Sequence, residues 1–360
     1  MYGYGPDWEA RRSLSDITQR AAFAGNRRLQ TVSIENRLVL ISLFQMITLA
    51  DIQSARERIA GRVKRTALVP SETLSRRLST NVYLKLELFQ KTGSFKVRGA
   101  FNKVLSIPET QRGRGLVAVS GGNHAQAVAY AGKELGLPAV ILMPQKTPRN
   151  YIEATQGYGA EVILVPNTTE AFERVAAYEN DGWTSVHPFD DPLVMAGQGT
   201  VGLEIVEDLP DVTDVFVSIG GGGFIAGIAT AVKALKSSCR IWGVETDGAD
   251  AMAQALAAGH PVHLPTITSI ARTLGAPSVS HTTLAITQKY VESVTVVPDV
   301  EAARALRFLL ERTKVLTEPA ASCTLAAADR LRDRFTTNSQ IVLVLCGGNV
   351  AIDDLCSYPT

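Results

Sequence analysis

The sequence predicts an α/β protein with mainly parallel sheets flanked by helices. Apolar runs of strand length recur at Leu116–Val119, Ala139–Met143, Val162–Val165, Val215–Ile219, Ile241–Val244 and Ile341–Leu345. Longer Ala-, Glu- and Lys-rich stretches of helical character separate them, the rhythm of strands crossing over through helices. No repeat, low-complexity tract or obvious linker interrupts the rhythm, so two domains would share an intimate boundary. In such folds ligands bind outside the carboxyl ends of the strands, and chemistry is sought there.

Regular structure is expected from Thr48, which with Asp51 has capping-box spacing, Asp replacing the usual Glu or Gln. Ile52 to Ile59 carries helical periodicity, and Gly61 supplies a stop. Val82, Leu84 and Leu86 alternate with Tyr83, Lys85 and Glu87, predicting a strand. Gly93-Ser94 then reads as a turn with Ser94 as helix N-cap, placing Lys96 in the first helical turn. The run Val215–Ile219 leads through four glycines into a predicted helix over Phe224–Leu235.

The first 45 residues differ. Arg11, Arg12, Arg20, Arg27 and Arg28 sit among small and polar residues, and the apolar run Leu38–Leu49 is interrupted by Ser42, Gln45 and Thr48. It is too short to span a bilayer, and no clear secretory cleavage site follows. Residues 1–45 are read either as a loosely ordered extension or as residues upstream of a natural start at Met46, and in either case as dispensable.

Composition narrows the function. A chain of 360 residues, 46% hydrophobic, can bury a large core. The net charge of +1, from 36 basic and 35 acidic side chains, argues against a nucleic-acid or anionic-membrane surface. The four cysteines lack CxxC spacing and read as reduced thiols of a cytoplasmic protein. The five histidines form no zinc-type cluster.

Four constellations stand at strand ends. Lys96, near the positive end of a helix and partly buried, would have the lowered pKa that suits a Schiff-base amine; for a lone lysine, a solvated position on an amphipathic helix is the commoner explanation. Ser120, Gly121, Gly122, Asn123 and His124 follow a strand and open a helix, a natural cradle for a carboxylate; an ordinary strand-to-helix turn would look the same, and His124 reads better as structural. Gly220, Gly221, Gly222 and Gly223 let backbone N–H groups approach a phosphate closely. Gly221, Gly223 and Ala226 also fit a dinucleotide fingerprint, with Glu245 about twenty residues on, so a nicotinamide-dependent oxidoreductase stands as the alternative. Cys346, ending the last strand before Gly347, Gly348 and Asn349, is either a small buried hydrophobe or a thiol against the edge of a heterocycle.

Together these motifs resemble the threonine/serine dehydratase and serine racemase group of fold-type II (tryptophan synthase β-like) pyridoxal-phosphate (PLP) enzymes, over roughly Met46 to Asn349. Two further stretches resemble the group: Met143-Pro144 with Gly159 to Val162, and Pro188-Phe189-Asp190-Asp191-Pro192 with Ala196 to Thr200. The resemblance implies a large cofactor-binding domain (46–114 and 193–360) and a small domain (115–192). It makes Lys96 the Schiff-base lysine and packs Phe95 against the cofactor ring. Asn123 would hold the ring hydroxyl, Gly220–Gly223 the phosphate, and Ser120 to His124 the substrate carboxylate. It implies a homodimer or higher homo-oligomer that removes water and ammonia from L-threonine, L-serine or a relative such as 3-hydroxyaspartate or phenylserine.

The departures bear on the reaction. Gly121 stands where the racemases of the group carry a serine working on the face of Cα opposite the lysine. Cys346 stands where many carry serine, and an unperturbed thiol with a pKa of about 8.5 is a poor donor to a pyridine nitrogen. Both changes favour elimination over racemisation. Glu245 and the Ala249 carbonyl match two positions of a divalent-cation site, but the third falls on Ala251, so a metal is not expected. Glu318-Pro319-Ala320-Ala321 lacks the usual Ser-Gly, and Ala271-Arg272-Thr273 replaces the usual Ala-Asp-Gly.

Overall fold

A computed structural model describes residues 46–166 and 168–359. The predicted extension, residues 1–45, lies outside the described residues. In chain order the elements are α1 (Leu49–Ile59), β1 (Leu68–Pro70), α2 (Glu72–Leu78), β2 (Asn81–Lys85), α3 (Lys96–Ser106), β3 (Leu116–Val119), α4 (Asn123–Leu135), β4 (Ala139–Pro144), α5 (Arg149–Gly157), β5 (Glu161–Val165), α6 (Thr168–Asn180) and β6 (Thr184–Ser185). They continue with α7 (Pro192–Asp208), β7 (Asp214–Ser218), α8 (Gly223–Leu235), β8 (Arg240–Thr246), α9 (Ala251–Ala258), α10 (His281–Tyr290), β9 (Ser293–Val297), α11 (Asp299–Phe308), α12 (Pro319–Arg330), β10 (Gln340–Val344) and α13 (Ile352–Ser357).

The strands form two sheets, of order β1-β2-β10-β7-β8-β9 and β5-β4-β3-β6. Every pairing is parallel except β1 with β2. The apolar strand runs of the sequence are needed because helices cover the sheets: Val215, Phe216 and Val217 of β7 and Ile341 to Val344 of β10 are all fully buried. Burying such side chains stabilises by about 1.5–3 kcal/mol each.

The capping box at Thr48 is formed in full. Thr48 Oγ1 accepts from the Asp51 backbone, and Asp51 Oδ2 accepts from Thr48 N at 2.7 Å. Asp191 caps α7 by accepting from Leu193 N and Val194 N, with Pro192 in the first turn. Helix α7 is the shared wall between neighbours. A Cβ at Gly197 would stand 2.7 Å from the Arg98 carbonyl of α3, and one at Gly199 would stand 2.9 Å from the Gly227 carbonyl of α8. Glycine is required because the helices meet backbone to backbone.

One contact was not legible in advance. Lys85, Glu87, Arg98 and Glu204 are all buried and form a single ionic cluster. Arg98 donates to both Glu87 oxygens at 2.8 and 2.9 Å and to Glu204 at 2.7 and 3.0 Å. Lys85 Nζ donates to Glu204 at 2.6 Å and to the Thr66 carbonyl at 2.7 Å. Two cations face two carboxylates, so the cluster is balanced, and it fastens α3 to β2 and α7. No helix among the described residues is long and apolar enough to cross a membrane.

Candidate active site

The carboxyl ends of β2, β3, β7 and β10 lead into the loops that carry the four constellations. Lys96 opens α3, but Ser94 is not its cap, as the sequence suggested. The N-cap is Phe95, without a side-chain bond. Ser94 is instead drawn into an antiparallel bridge with Gly347, and its buried hydroxyl lacks a partner. Phe95 N donates to the Cys346 carbonyl at 3.1 Å, and Leu88 N donates to the Leu345 carbonyl at 3.0 Å. The lysine loop is thereby stitched to the end of the central strand.

The Lys96 amine donates to the Pro188 carbonyl at 2.8 Å. Burial lowers its pKa to about 8, against the opposing pull of Cys346 and Glu318. At this pKa about a tenth of the amine is free base at neutrality and about half at pH 8, and the free base is the state that attacks a carbonyl. Binding of cofactor by the cofactor-free protein should therefore accelerate as pH rises from about 6.5 through 8 and level off near about pH 9. Stopped-flow absorbance measures this directly; a rate still climbing beyond pH 9.5 would mean that the amine titrates as an ordinary lysine.

Asn123 is buried at the start of α4. Its Nδ2 donates to both oxygens of Glu318 at 2.9 and 3.1 Å, and its Oδ1 accepts from Asn349 Nδ2 at 2.9 Å. Thr273 Oγ1 also donates to Glu318 at 2.8 Å. Burial pushes the Glu318 carboxyl up to about 7, opposed by these donors and by nearby Lys96. Sequence reasoning noted Glu318 only as part of an altered motif. Its usable signal was an acidic residue directly before the proline that starts a buried, Ala-rich helix. Asn349 also donates to the Thr92 carbonyl at 2.8 Å, and its own carbonyl accepts from Tyr151. Thr92 holds a left-handed backbone, φ 61°, with its buried hydroxyl unpartnered, a strained β-branched residue beside the site.

His124 is buried, with Nε2 2.8 Å from the Val186 carbonyl, and burial next to Lys96 pushes its pKa down to about 3. It is a neutral structural group. Ser120 Oγ accepts from Gly122 N at 3.2 Å and shapes the turn. Cys346 is buried and accepts from Ser218 Oγ at 3.4 Å; burial raises its thiol pKa. It stays a thiol.

The tetraglycine turn opens α8 with Gly222 as N-cap in a left-handed conformation, φ 90°. A Cβ at Gly221 would enter the Phe189 ring directly, and one at Gly222 would stand 2.7 Å from Thr283 Cβ. Phe95 stacks on Phe224, centroids 3.7 Å apart and 11° between planes, which brings the turn alongside the lysine loop. The resemblance places Phe95 against a cofactor ring; here its ring faces Phe224. Gly221→Ala forces Phe189 aside, and overpacking of this kind costs about 1–3 kcal/mol. Cofactor retention should fall about 5- to 150-fold, read by equilibrium dialysis.

Glu245 stands near the end of β8. It is fully buried, and its oxygens accept from Met252 N and Ala253 N at 2.8 Å each, satisfying the start of α9. Ala249 lies in a tight bridge with Thr246. Among the described residues no group of three His, Cys, Asp or Glu side chains is placed to hold a metal.

The pyridoxal-phosphate dependent enzyme family model matches residues 59–347. The chain belongs to the pyridoxal-phosphate-dependent enzymes. It is 44% identical over 310 residues to an L-threonine ammonia-lyase of Geobacter sulfurreducens, covering 85% of this chain and 77% of that one. It is 38% identical over 318 residues to the catabolic L-threonine dehydratase TdcB of Staphylococcus aureus, covering 87% and 92%. Among solved structures it is similar to maize serine racemase, with a TM-score of 0.82 at 35% identity over 87% of this chain and 96% of that one. The processed form of threonine deaminase isoform 2 from Solanum lycopersicum has a TM-score of 0.80 at 34% identity, over 88% and 86%. The family rules out the nicotinamide alternative. A pyridoxal-phosphate enzyme needs a lysine of lowered pKa, an anion cradle and a polar pocket between them. Lys96, the glycine turn and Asn123 fit that need.

Proposed function

We propose that this chain is a PLP-dependent dehydratase that converts a small β-hydroxy amino acid, L-threonine or L-serine, to a 2-keto acid and ammonia. The observation that carries the reading is the convergence of Lys96, at a pKa of about 8, with Asn123, Glu318 and Cys346. The strong similarity to threonine ammonia-lyases supports it.

In this reading Lys96, Phe95, Asn123, Gly220–Gly223 and Cys346 hold the cofactor, and Ser120, Gly121, Gly122, Asn123 and His124 form the substrate turn. When bound, the cofactor supplies the electron sink that allows a Cα proton to leave. The Lys96 amine takes that proton, because as free base it is the one strong base at the site. The Gly121 and Asn123 N–H groups of the turn orient the carboxylate, while Ser120 N is bonded to the Leu142 carbonyl and Gly122 N to Ser120 Oγ. The proton that Lys96 has taken leaves with the β-hydroxyl as water, and the released enamine takes up water to give keto acid and ammonia.

Racemisation would need a proton delivered to the opposite face of Cα. Gly121 has no side chain to carry one, and the buried Cys346 thiol gives the ring nitrogen little help. Wild-type enzyme should therefore form keto acid with little D-isomer. A keto-acid assay over L-threonine, L-serine, 3-hydroxyaspartate and phenylserine, followed by chiral chromatography, tests both statements. D-amino acid accumulating as fast as keto acid would overturn the second.

We also propose that residues 115–192 act as a small domain against 46–114 and 193–360. All strands of the four-stranded sheet fall within 116–185, which supports that division. A cytoplasmic location accords with four unpaired cysteines, three of them buried. A homo-oligomeric assembly rests on the family resemblance, and light scattering tests it.

A further inference from the structure

The turn after β4 reaches the substrate turn after β3. Thr147 N donates to the Pro144 carbonyl at 2.9 Å, and Pro148, at φ −58°, begins the approach to α5. A residue before proline is confined to extended backbone, so Thr147 is held from both sides. A Cβ built at Gly121 would lie 2.6 Å from Thr147 Oγ1 and 3.5 Å from Pro144 Cδ. The Thr147 hydroxyl therefore occupies the space that any side chain at 121 would claim. Thr147 is half-buried, and its hydroxyl bonds to none of the described residues. No acid or base is hydrogen-bonded to it, so it has no relay through which to move a proton. The one charged residue of that turn is Lys146, which favours an approaching anion.

We propose that Thr147 is a substrate-positioning residue whose hydroxyl donates a hydrogen bond to the carboxylate of the amino acid held by the Ser120–Asn123 turn. This deepens the dehydratase reading and rests on it. The glycine at 121 and the threonine at 147 then form one device. The substrate turn contributes backbone donors only, and the side-chain donor comes from the neighbouring strand's turn.

Thr147→Val keeps the shape and removes the donor. A hydrogen bond to a charged group contributes enough that its loss should raise KM for L-threonine about 10- to 100-fold, with kcat changed much less. Thr147→Ser should stay close to wild type. L-Threonine amide, which lacks the carboxylate, should inhibit wild type and Thr147→Val equally. Gly121→Ala pushes the hydroxyl away and should also raise KM, while Gly121→Ala combined with Thr147→Val should be no worse than either alone. An unchanged KM in Thr147→Val, or equal weakening of threonine and its amide, overturns the proposal while leaving the dehydratase reading intact. Wild-type enzyme releasing no keto acid from any β-hydroxy amino acid would instead sink that reading, and this inference with it.

Discussion

Replacing Lys96 with alanine should lower turnover of a β-hydroxy amino acid at least about 10⁴-fold, the upper range for loss of a positioned general base, with loss of the covalent anchor adding to it. The fold should survive, because the half-buried amine makes one hydrogen bond to protein, to the Pro188 carbonyl, while the neighbouring Val97 and Arg98 hold α3 in place. The tetraglycine turn is untouched, so the variant should still bind the cofactor, although without the covalent bond. Borohydride treatment followed by peptide mapping separates the possibilities. Wild-type protein should carry the pyridoxyl label on Lys96 and Lys96→Ala should carry none. A label on any other lysine of wild-type protein would sink the assignment.

The second large effect concerns stability. Arg98→Met removes a cation of similar bulk and leaves Glu87 and Glu204, both buried, with Lys85 as their only cation in the cluster. Breaking a buried ion pair from one side costs about 3–5 kcal/mol, chiefly because uncompensated charge stays in the interior. The melting midpoint should fall by about 5–15 °C. Arg77→Met, which breaks a part-exposed pair with Asp329, should cost less than about 1 kcal/mol. Equal midpoints for the two variants would mean that the buried cluster relaxes or admits water.

Most of the strands legible in the sequence are buried on both faces, such as β3, β4, β7 and β10, where a continuous apolar run has no other use; β5 was read from the same kind of run although it is a part-exposed edge strand. The ones that were missed carry little such signal. β1 is three residues ending in Pro70, β6 is two residues, and β9 is a half-exposed edge strand of mixed polarity. Sheet order was not legible at all, because it depends on which strands pair across hundreds of residues. At the site, the glycine and asparagine turns were readable because their residue types follow from backbone geometry. Glu318, Asn349 and Thr147 were not readable as site groups, since each acts through a contact made between distant segments. Ser94 was misread because a serine at a turn has two uses, cap or bridge partner, and the choice is made by Gly347 at the far end of the chain.

The position of β10 has a consequence for synthesis. It lies between β2 and β7, yet among the described strands it comes last in the chain, with Leu343 pairing at once with Leu84 and Phe216. Until residues 340–344 leave the ribosome, β2 and β7 have no common partner, and each presents an open apolar edge. Such intermediates are aggregation-prone, and pairing over such sequence distances is slow. The nascent chain must therefore wait, half-assembled, for its centre to arrive. Chains stalled before residue 340 should depend on chaperones far more than chains released a few residues beyond Asn349, and catalytic competence should appear in a single late step.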